Sequence, residues 1–260
     1  MTVTHSNLPE LLGVALELAQ QAGAITLEYF GRVLTAETKG DGTPVTEADR
    51  AAETHLRNEI GRRFPEHGIL GEEYGESNPK APVRWILDPI DGTRAFMRGI
   101  PLYGVLIGVE VGGSPAVGVA HFPALRETVG AASGHGCTWN GNPARVSSVG
   151  TLSQAAALTT DLAELLEGPA ARGWNSLVRR TSLARTWGDC YGHILVATGR
   201  AEIMVDPVLS PWDAAPFVPI LQEAGGRFTD REGLERFHGG SGISTNGLFH
   251  EEVLALLAGS

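Results

Sequence analysis

The chain has 260 residues and a net charge of −10, with 42% hydrophobic and 19% charged residues, enough apolar content for a sizeable packed core. No cluster of Lys and Arg offers the phosphate-neutralising surface that nucleic acid requires, which excludes it as a partner. No run of about 18 apolar residues could span a membrane, the opening MTVTHSNLPE lacks the charged and apolar regions of a signal peptide, and the 2 cysteines, Cys137 and Cys190, fit a reduced, cytoplasmic setting.

Ser6 or Asn7 followed by Pro9 predicts a helix start, because the first turn does not need the N–H that Pro lacks. Leu8, Leu11, Leu12, Ala15, Leu18, Ala22, Ile25 and Tyr29 recur at helical spacing, and Gly31 offers the stop. The polar, Gly-rich AETKGDGTPV at Ala36–Val45 reads as a loop. Thr46 followed by Asp49 predicts a capped helix with Ala48, Ala52, His55, Leu56 and Ile60 on its buried face. Short strands are expected at Gly68–Leu70, Trp85–Leu87, Val105–Glu110 and Val117–His121, the last two joined through a GGSP hairpin turn.

Beyond the NGNP turn at Asn140–Pro143 the expected order is a strand at Ala155–Thr159, a helix from about Asp161, and another from about Asp189 to Thr198. A strand at Ile203–Val205, a helix from about Trp212 to Ala224, a strand at Gly242–Ser244 and a closing helix at Glu251–Leu257 complete it. Strands and helices alternate without a repeat. The pattern predicts a layered α/β architecture, subdivided into residues 1–145 and 146–260 with no flexible linker.

Four segments place carboxylates at the ends of apolar strands or the starts of helices: TEAD at Thr46–Asp49, GEEYG at Gly71–Gly75, DPIDGT at Asp88–Thr93 and PWDAAP at Pro211–Pro216. Pro89 ends the strand ladder and Gly92 permits a sharp turn, bringing Asp88 and Asp91 together. Carboxylates that close repel unless a cation sits between them or one is protonated. Singly, each segment has a plain reading: Glu72-Glu73 as solvated surface, Trp212-Asp213 as a helix cap, and the Asp88–Thr93 turn as a turn or calcium loop. Together they point to one shared site. Hard oxygen donors without His or Cys favour Mg²⁺, Mn²⁺ or Ca²⁺ over zinc, and a cation would let an acidic chain handle an anionic phosphate.

WILDPIDGTRAF at Trp85–Phe96 and PWDAAP resemble the two signature motifs of the inositol monophosphatase family, a superfamily of Mg²⁺-dependent phosphatases. GEEYG and VTEAD at Val45–Asp49 match its other two motifs in order and spacing, and the similarity runs from the first helix to ISTN at Ile243–Asn246. The resemblance implies a five-layered αβαβα sandwich, a small phosphorylated substrate and a homodimer. It further implies that Glu72, Asp88, Asp91, Asp213 and the Ile90 carbonyl hold two or three Mg²⁺ ions, with Mn²⁺ as a possible substitute. By the same resemblance, Gly92 and Thr93 N–H groups cradle the phosphate, while Asp49 and the Thr93 hydroxyl orient the attacking water, with Glu72 counted among the catalytic residues.

Arg94-Ala95-Phe96, the RTWGDCYGHILVATG block at Arg185–Gly199 and DPVLSPWDAAP resemble the histidinol-phosphatase branch. That resemblance implies hydrolysis of L-histidinol phosphate in histidine biosynthesis, with Arg94, Asp189 and Asp206 as substrate residues. Asp206 aligns with an acidic residue that holds the inositol ring in relatives, so inositol-1-phosphate or a broad substrate range is the alternative. Asp189 also reads as a helix N-cap, and Cys190, Tyr191 and His193 as packing or rim residues. A non-catalytic regulator that binds metal and phosphorylated ligands is the rival from another class. The presence of Asp49, Thr93 and every implied ligand disfavours it.

Overall fold

The computed structural model describes residues 7–32, 37–38 and 44–259. Helix α1 (Leu8–Tyr29) has Asn7 at its cap position and Pro9 in its first turn; the alternative start at Ser6 lies outside the described residues. The ends of the expected loop at 36–45 are the short strands β1 (Glu37–Thr38) and β2 (Pro44–Val45), paired antiparallel. The rest of that loop lies outside the described residues. Helix α2 (Glu47–Arg63) carries the expected cap: the Thr46 N–H and hydroxyl both donate to Asp49 Oδ2, at 2.8 and 2.5 Å. His55 is only half-buried, its Nε2 lying 2.9 Å from Gln21 Oε1 and so joining α2 to α1.

An eight-stranded sheet follows, formed by β3 (Gly68–Gly71), β4 (Gly75–Ser77), β5 (Val83–Asp91), β6 (Gly104–Val111), β7 (Ser114–Phe122), β8 (Glu127–Ala132), β9 (Cys137–Trp139) and β10 (Asn142–Pro143). The spatial order is β10-β9-β8-β7-β6-β5-β3-β4, antiparallel except where β3 meets β5. The five-stranded sheet joins β11 (Ala156–Thr159), β12 (Leu183–Arg185), β13 (Ile203–Asp206), β14 (Arg227–Thr229) and β15 (Gly242–Thr245) in the order β12-β11-β13-β15-β14. The remaining helices are α3 (Thr93–Met97), α4 (Leu162–Glu167), α5 (Ala171–Arg180), α6 (Cys190–Ala197), α7 (Pro211–Ala214), α8 (Phe217–Ala224) and α9 (His250–Leu257).

Alternation along the strands builds the layers. Val105, Ile107 and Val109 of β6 pack toward α1 and α2, whereas Leu106 faces the middle of the molecule. On β13, Met204 faces that same middle, while Ile203 and Val205 pack outward with Leu165, Trp174 and Val253 from α4, α5 and α9. The middle layer holds α6, α7 and α8, with Ile194, Ala214, Phe217 and Leu221 buried there between the two sheets. The order α, β, α, β, α is therefore observed.

Two expected helices are interrupted. The helix anticipated from Asp161 is capped by that residue, whose Oδ1 accepts from Glu164 N–H at 3.0 Å, but stops at Gly168-Pro169 and restarts as α5. The helix anticipated from Trp212 to Ala224 divides into α7 and α8, because Pro216 and Pro219 donate no N–H to the ladder. Gly118 on β7 lets this junction approach closely: a Cβ there would collide with the Pro216 carbonyl. Asp213 is thereby set against the edge where β5 ends.

Candidate active site

Strand β5 is apolar from Trp85 through Leu87 and then delivers Asp88 and Asp91. The β5–β6 register shifts between these residues, with Asp88 opposite Leu106 and Asp91 opposite Gly104. Such a bulge re-aims side chains at a strand end. The turn is locked locally: Asp88 Oδ1 accepts from Ile90 N–H at 2.9 Å, and the Thr93 hydroxyl donates to the Ile90 carbonyl at 3.0 Å. Gly92 adopts φ +80°, a left-handed conformation that glycine takes without steric cost, and its carbonyl accepts from Phe96 N–H at 2.9 Å. A Cβ at Gly92 would stand 2.9 Å from the Asp189 carboxylate.

Asp213 arrives from the other half of the chain, fixed by Ser210 N–H donating to its Oδ2 at 2.7 Å. One carboxylate oxygen from each of Asp88, Asp91 and Asp213 lies within 4.8 Å of the others. Glu72 follows β3, where its N–H donates to the Leu87 carbonyl at 3.1 Å. The turn that carries it rests on Glu53, a fully buried carboxylate of α2 that accepts from Glu73 N–H at 2.7 Å and from Arg57 Nε at 2.7 Å.

Burial, and then repulsion from neighbouring carboxylates, push Asp88, Asp91 and Asp213 up. Asp88 is raised well above the carboxylate range by desolvation first, then by Glu72, Asp91 and Asp213. Asp91 and Asp213 keep an edge at the cavity, yet desolvation and neighbouring carboxylates push each up to about 7. Among the described residues, no Arg or Lys pairs with Asp88, Asp91, Asp189 or Asp213. A cluster of hard oxygen donors in which Asp88, Asp91 and Asp213 have no cationic partner among the described residues fits a divalent metal. Asp49 lies behind the cluster, fully buried. Desolvation is the main cause that raises it to about 6, with Glu72 adding to it. Its Oδ2 is held by Thr46, while its buried Oδ1 has no hydrogen-bond partner among the described residues.

A cavity of about 310 Å³ opens over the cluster. Glu72, Asp88, Ile90, Asp91, Gly92, Thr93, Arg94, Asp189, Asp206 and Asp213 all line it; of the residues expected from sequence only Asp49 does not. Asp189 occupies the cap position of α6 but its side chain makes no cap bond, contrary to the simple cap reading. Asp91 caps that helix instead. Cys190 is buried beneath it, and burial raises its thiol well above the ordinary range, while Cys137 is pushed up to about 12 by the same cause, so neither is a ready nucleophile. His193 is fully buried, with Nδ1 2.7 Å from Ser244 Oγ and Nε2 3.4 Å from Asp206 Oδ2.

Sequence reading missed Thr160, Asp161, Glu164, Val208, Ser210 and Trp212, which also line the cavity. Thr160 follows the end of β11 and Ser210 precedes a proline helix start, but no local signal marks either as facing the acids. Glu53 was equally hidden, because its contacts lie 20 residues away in sequence.

Residues 7–259 match the inositol monophosphatase family. The chain is similar to a histidinol-phosphatase of Chlorobaculum parvum, 46% identical with 95% of this chain and 96% of that one covered. It is also similar to a histidinol-phosphatase of Mycobacterium tuberculosis, 40% identical over 95% of this chain and 97% of that one. A solved inositol monophosphatase from Anabaena superposes with a TM-score of 0.85 at 32% identity, covering 96% of each chain.

Proposed function

We propose that this chain, which belongs to the inositol monophosphatase family and is a phosphatase, hydrolyses L-histidinol phosphate to L-histidinol and phosphate with Mg²⁺. The observation that carries the substrate reading is the 46% and 40% identity to histidinol-phosphatases over 95% of the chain. Asp189 and Asp206 support it: both line the cavity beyond the acid cluster and could receive the ammonium of histidinol.

Glu72, Asp88, Asp91, Asp213 and the Ile90 carbonyl are the proposed holders of two or three Mg²⁺ ions. When bound, these ions supply Lewis-acid neutralisation of the phosphoryl and leaving oxygens and a lowered pKa for the attacking water. Backbone N–H groups of Gly92 and Thr93 are proposed to orient the phosphate. Asp49, whose buried Oδ1 has no partner among the described residues, is proposed to accept a proton as the water oxygen bonds to phosphorus, with the Thr93 hydroxyl aligning that water. The P–O bond to the alcohol then breaks and the alkoxide takes a proton from solvent. Arg94, exposed at the rim, is proposed to meet the substrate during entry.

The reading extends to a cytoplasmic homodimer, supported by family resemblance and testable by light scattering. Phosphate release measured with and without Mg²⁺ across histidinol phosphate, inositol-1-phosphate and fructose bisphosphate tests the core of it. Histidinol phosphate must give the highest kcat/KM; preference for inositol-1-phosphate, or release independent of metal, overturns it.

A further inference from the structure

Thr160 stands at the end of the central strands of the five-stranded sheet, one residue beyond β11, and joins the backbone amide of Asp189 to the carboxylate of Asp206. Its Oγ1 accepts from Asp189 N–H at 2.9 Å and donates to Asp206 Oδ2 at 3.0 Å. A hydroxyl has one proton, so donating to Asp206 leaves a lone pair for the Asp189 amide, and the two bonds fix each other's direction. The backbone at Gly188 presses on the same residue: a Cβ there would collide with Thr160 Cα. On the far side of Asp206, His193 Nε2 lies 3.4 Å from the same Oδ2, and His193 is itself held through Ser244.

Asp206 Oδ2 is thus held by the Thr160 hydroxyl, with His193 Nε2 beside it but not hydrogen-bonded, whereas its Oδ1 has no protein hydrogen bond among the described residues and Asp206 borders the cavity. The Asp189 carboxylate is likewise without a hydrogen-bond donor, while its backbone is held at φ +51°. We infer that Thr160 is a positioning residue whose hydroxyl sets the aim of Asp189 and Asp206, and so selects phosphate esters of an alcohol that carries a cation. The inference rests on the proposed substrate reading and adds a residue to it. An ammonium leaving water needs convergent anionic acceptors, and two carboxylates on different loops converge only if something fixes their separation.

The test compares wild type, Thr160→Val and Thr160→Ser with saturating Mg²⁺. Kinetics on histidinol phosphate are combined with product inhibition by L-histidinol and by inorganic phosphate. Val keeps the volume and loses both hydrogen bonds; Ser keeps the hydroxyl. In Thr160→Val the KM for histidinol phosphate and the Ki for L-histidinol should each rise about tenfold, the scale of one charged hydrogen bond lost. The Ki for phosphate should shift by less than about twofold, and Ser should recover most of the loss. Should Val fail to fold, Thr160→Ala removes the same hydroxyl and carries the same expectation. A wild type that does not turn over histidinol phosphate overturns the substrate reading and this inference with it. A wild type that does, with Val raising both Ki values equally or Ser behaving as Val, overturns the inference alone and leaves Thr160 as a strut for the 188–189 turn.

Discussion

The Asp91 carboxylate caps a helix 99 residues away: its Oδ2 accepts from Cys190 N–H at 2.7 Å. A side chain at the end of β5 thereby ties the eight-stranded sheet to α6 in the middle layer. If Asp91 is also a metal ligand, as proposed, its two tasks are separable. Asn retains an oxygen that can accept from Cys190 but not the charge; Ala retains neither. Both variants should lose phosphatase activity. Ala should unfold at a temperature about 2–4 °C below Asn, the effect of about 1 kcal/mol of lost capping in a chain this size. Equal melting temperatures in thermal denaturation would dismiss the capping role.

The pH dependence of metal stabilisation follows from the raised acids. Asp91 and Asp213 are each pushed from 3.8 to about 7, and Asp49 to about 6, by burial first and neighbouring charge second. An acid whose folded pKa is raised binds more protons folded than unfolded between the two values, so stability falls as pH rises through that window. His121 and His250, depressed to about 4 by burial, act in the opposite sense, their contribution growing as pH rises toward 6.5. Neither histidine lines the acid cavity, so comparing metal-free with Mg²⁺-loaded protein cancels them. Mg²⁺ must displace protons from the acids it binds. The Mg²⁺-induced rise in melting temperature should therefore grow from pH 5 to pH 7. A rise that is flat or shrinking over that range would separate Mg²⁺ from these carboxylates.

Legibility in the sequence tracked how local each feature is. The Thr46–Asp49 cap, the alternation that sorts Leu106 from Val105 and Ile107, and the strand end at Asp88 are each written within a few residues. The carboxylates of Glu72, Asp88, Asp91 and Asp213 could be grouped because each follows an apolar or helix-start signal. Strand β8, Glu127–Ala132, was invisible because its Gly and Ala are poor strand formers and pairing with β7 and β9 fixes it. Glu53 and Thr160 gain their significance from partners 20 and 29 residues away. The capping of α6 by Asp91, not by adjacent Asp189, needed the fold.

Asp88→Asn and Asp213→Asn should each abolish activity in Mg²⁺, because each removes an anionic hard donor from the proposed metal set. Metal-free stability should not fall with them. Glu72 raises both Asp88 and Asp213, and Asp91 and Asp213 raise Asp88 further, so taking the charge off one carboxyl relieves repulsion in the metal-free cluster. Activity assays paired with melting in EDTA check both halves. A variant with near wild-type turnover would sink the assignment.

Asp49→Asn separates chemistry from binding. Asn can still accept from Thr46 through one oxygen, so the helix cap survives, but it cannot take a proton at the position of the unpartnered Oδ1. Turnover should drop by roughly 10²-fold, the scale of general-base loss, with KM little changed because Asp49 does not line the cavity. Steady-state kinetics decide it: a raised KM with kcat intact would make Asp49 a binding residue.

The last prediction concerns Asp189 and substrate charge. Its backbone sits at φ +51° and ψ −160°, a strained conformation close to the region that is essentially reserved for glycine, so Asp189→Asn, which keeps the shape of the side chain, changes charge with the least added strain. The side chain lies over Gly92, makes no cap bond and faces the cavity beside Asp206. Histidinol phosphate brings an ammonium to that wall, whereas inositol phosphate brings only neutral hydroxyls. Losing a charged partner should cost about 1–3 kcal/mol in kcat/KM for histidinol phosphate. Inositol-1-phosphate hydrolysis should stay level or improve, since a carboxylate pushed up to about 7 by burial, Asp91 and Asp206 contributes repulsion toward an incoming phosphate. Equal losses on both substrates would reduce Asp189 to a spacer over Gly92 and leave the choice of substrate to other residues of the cavity.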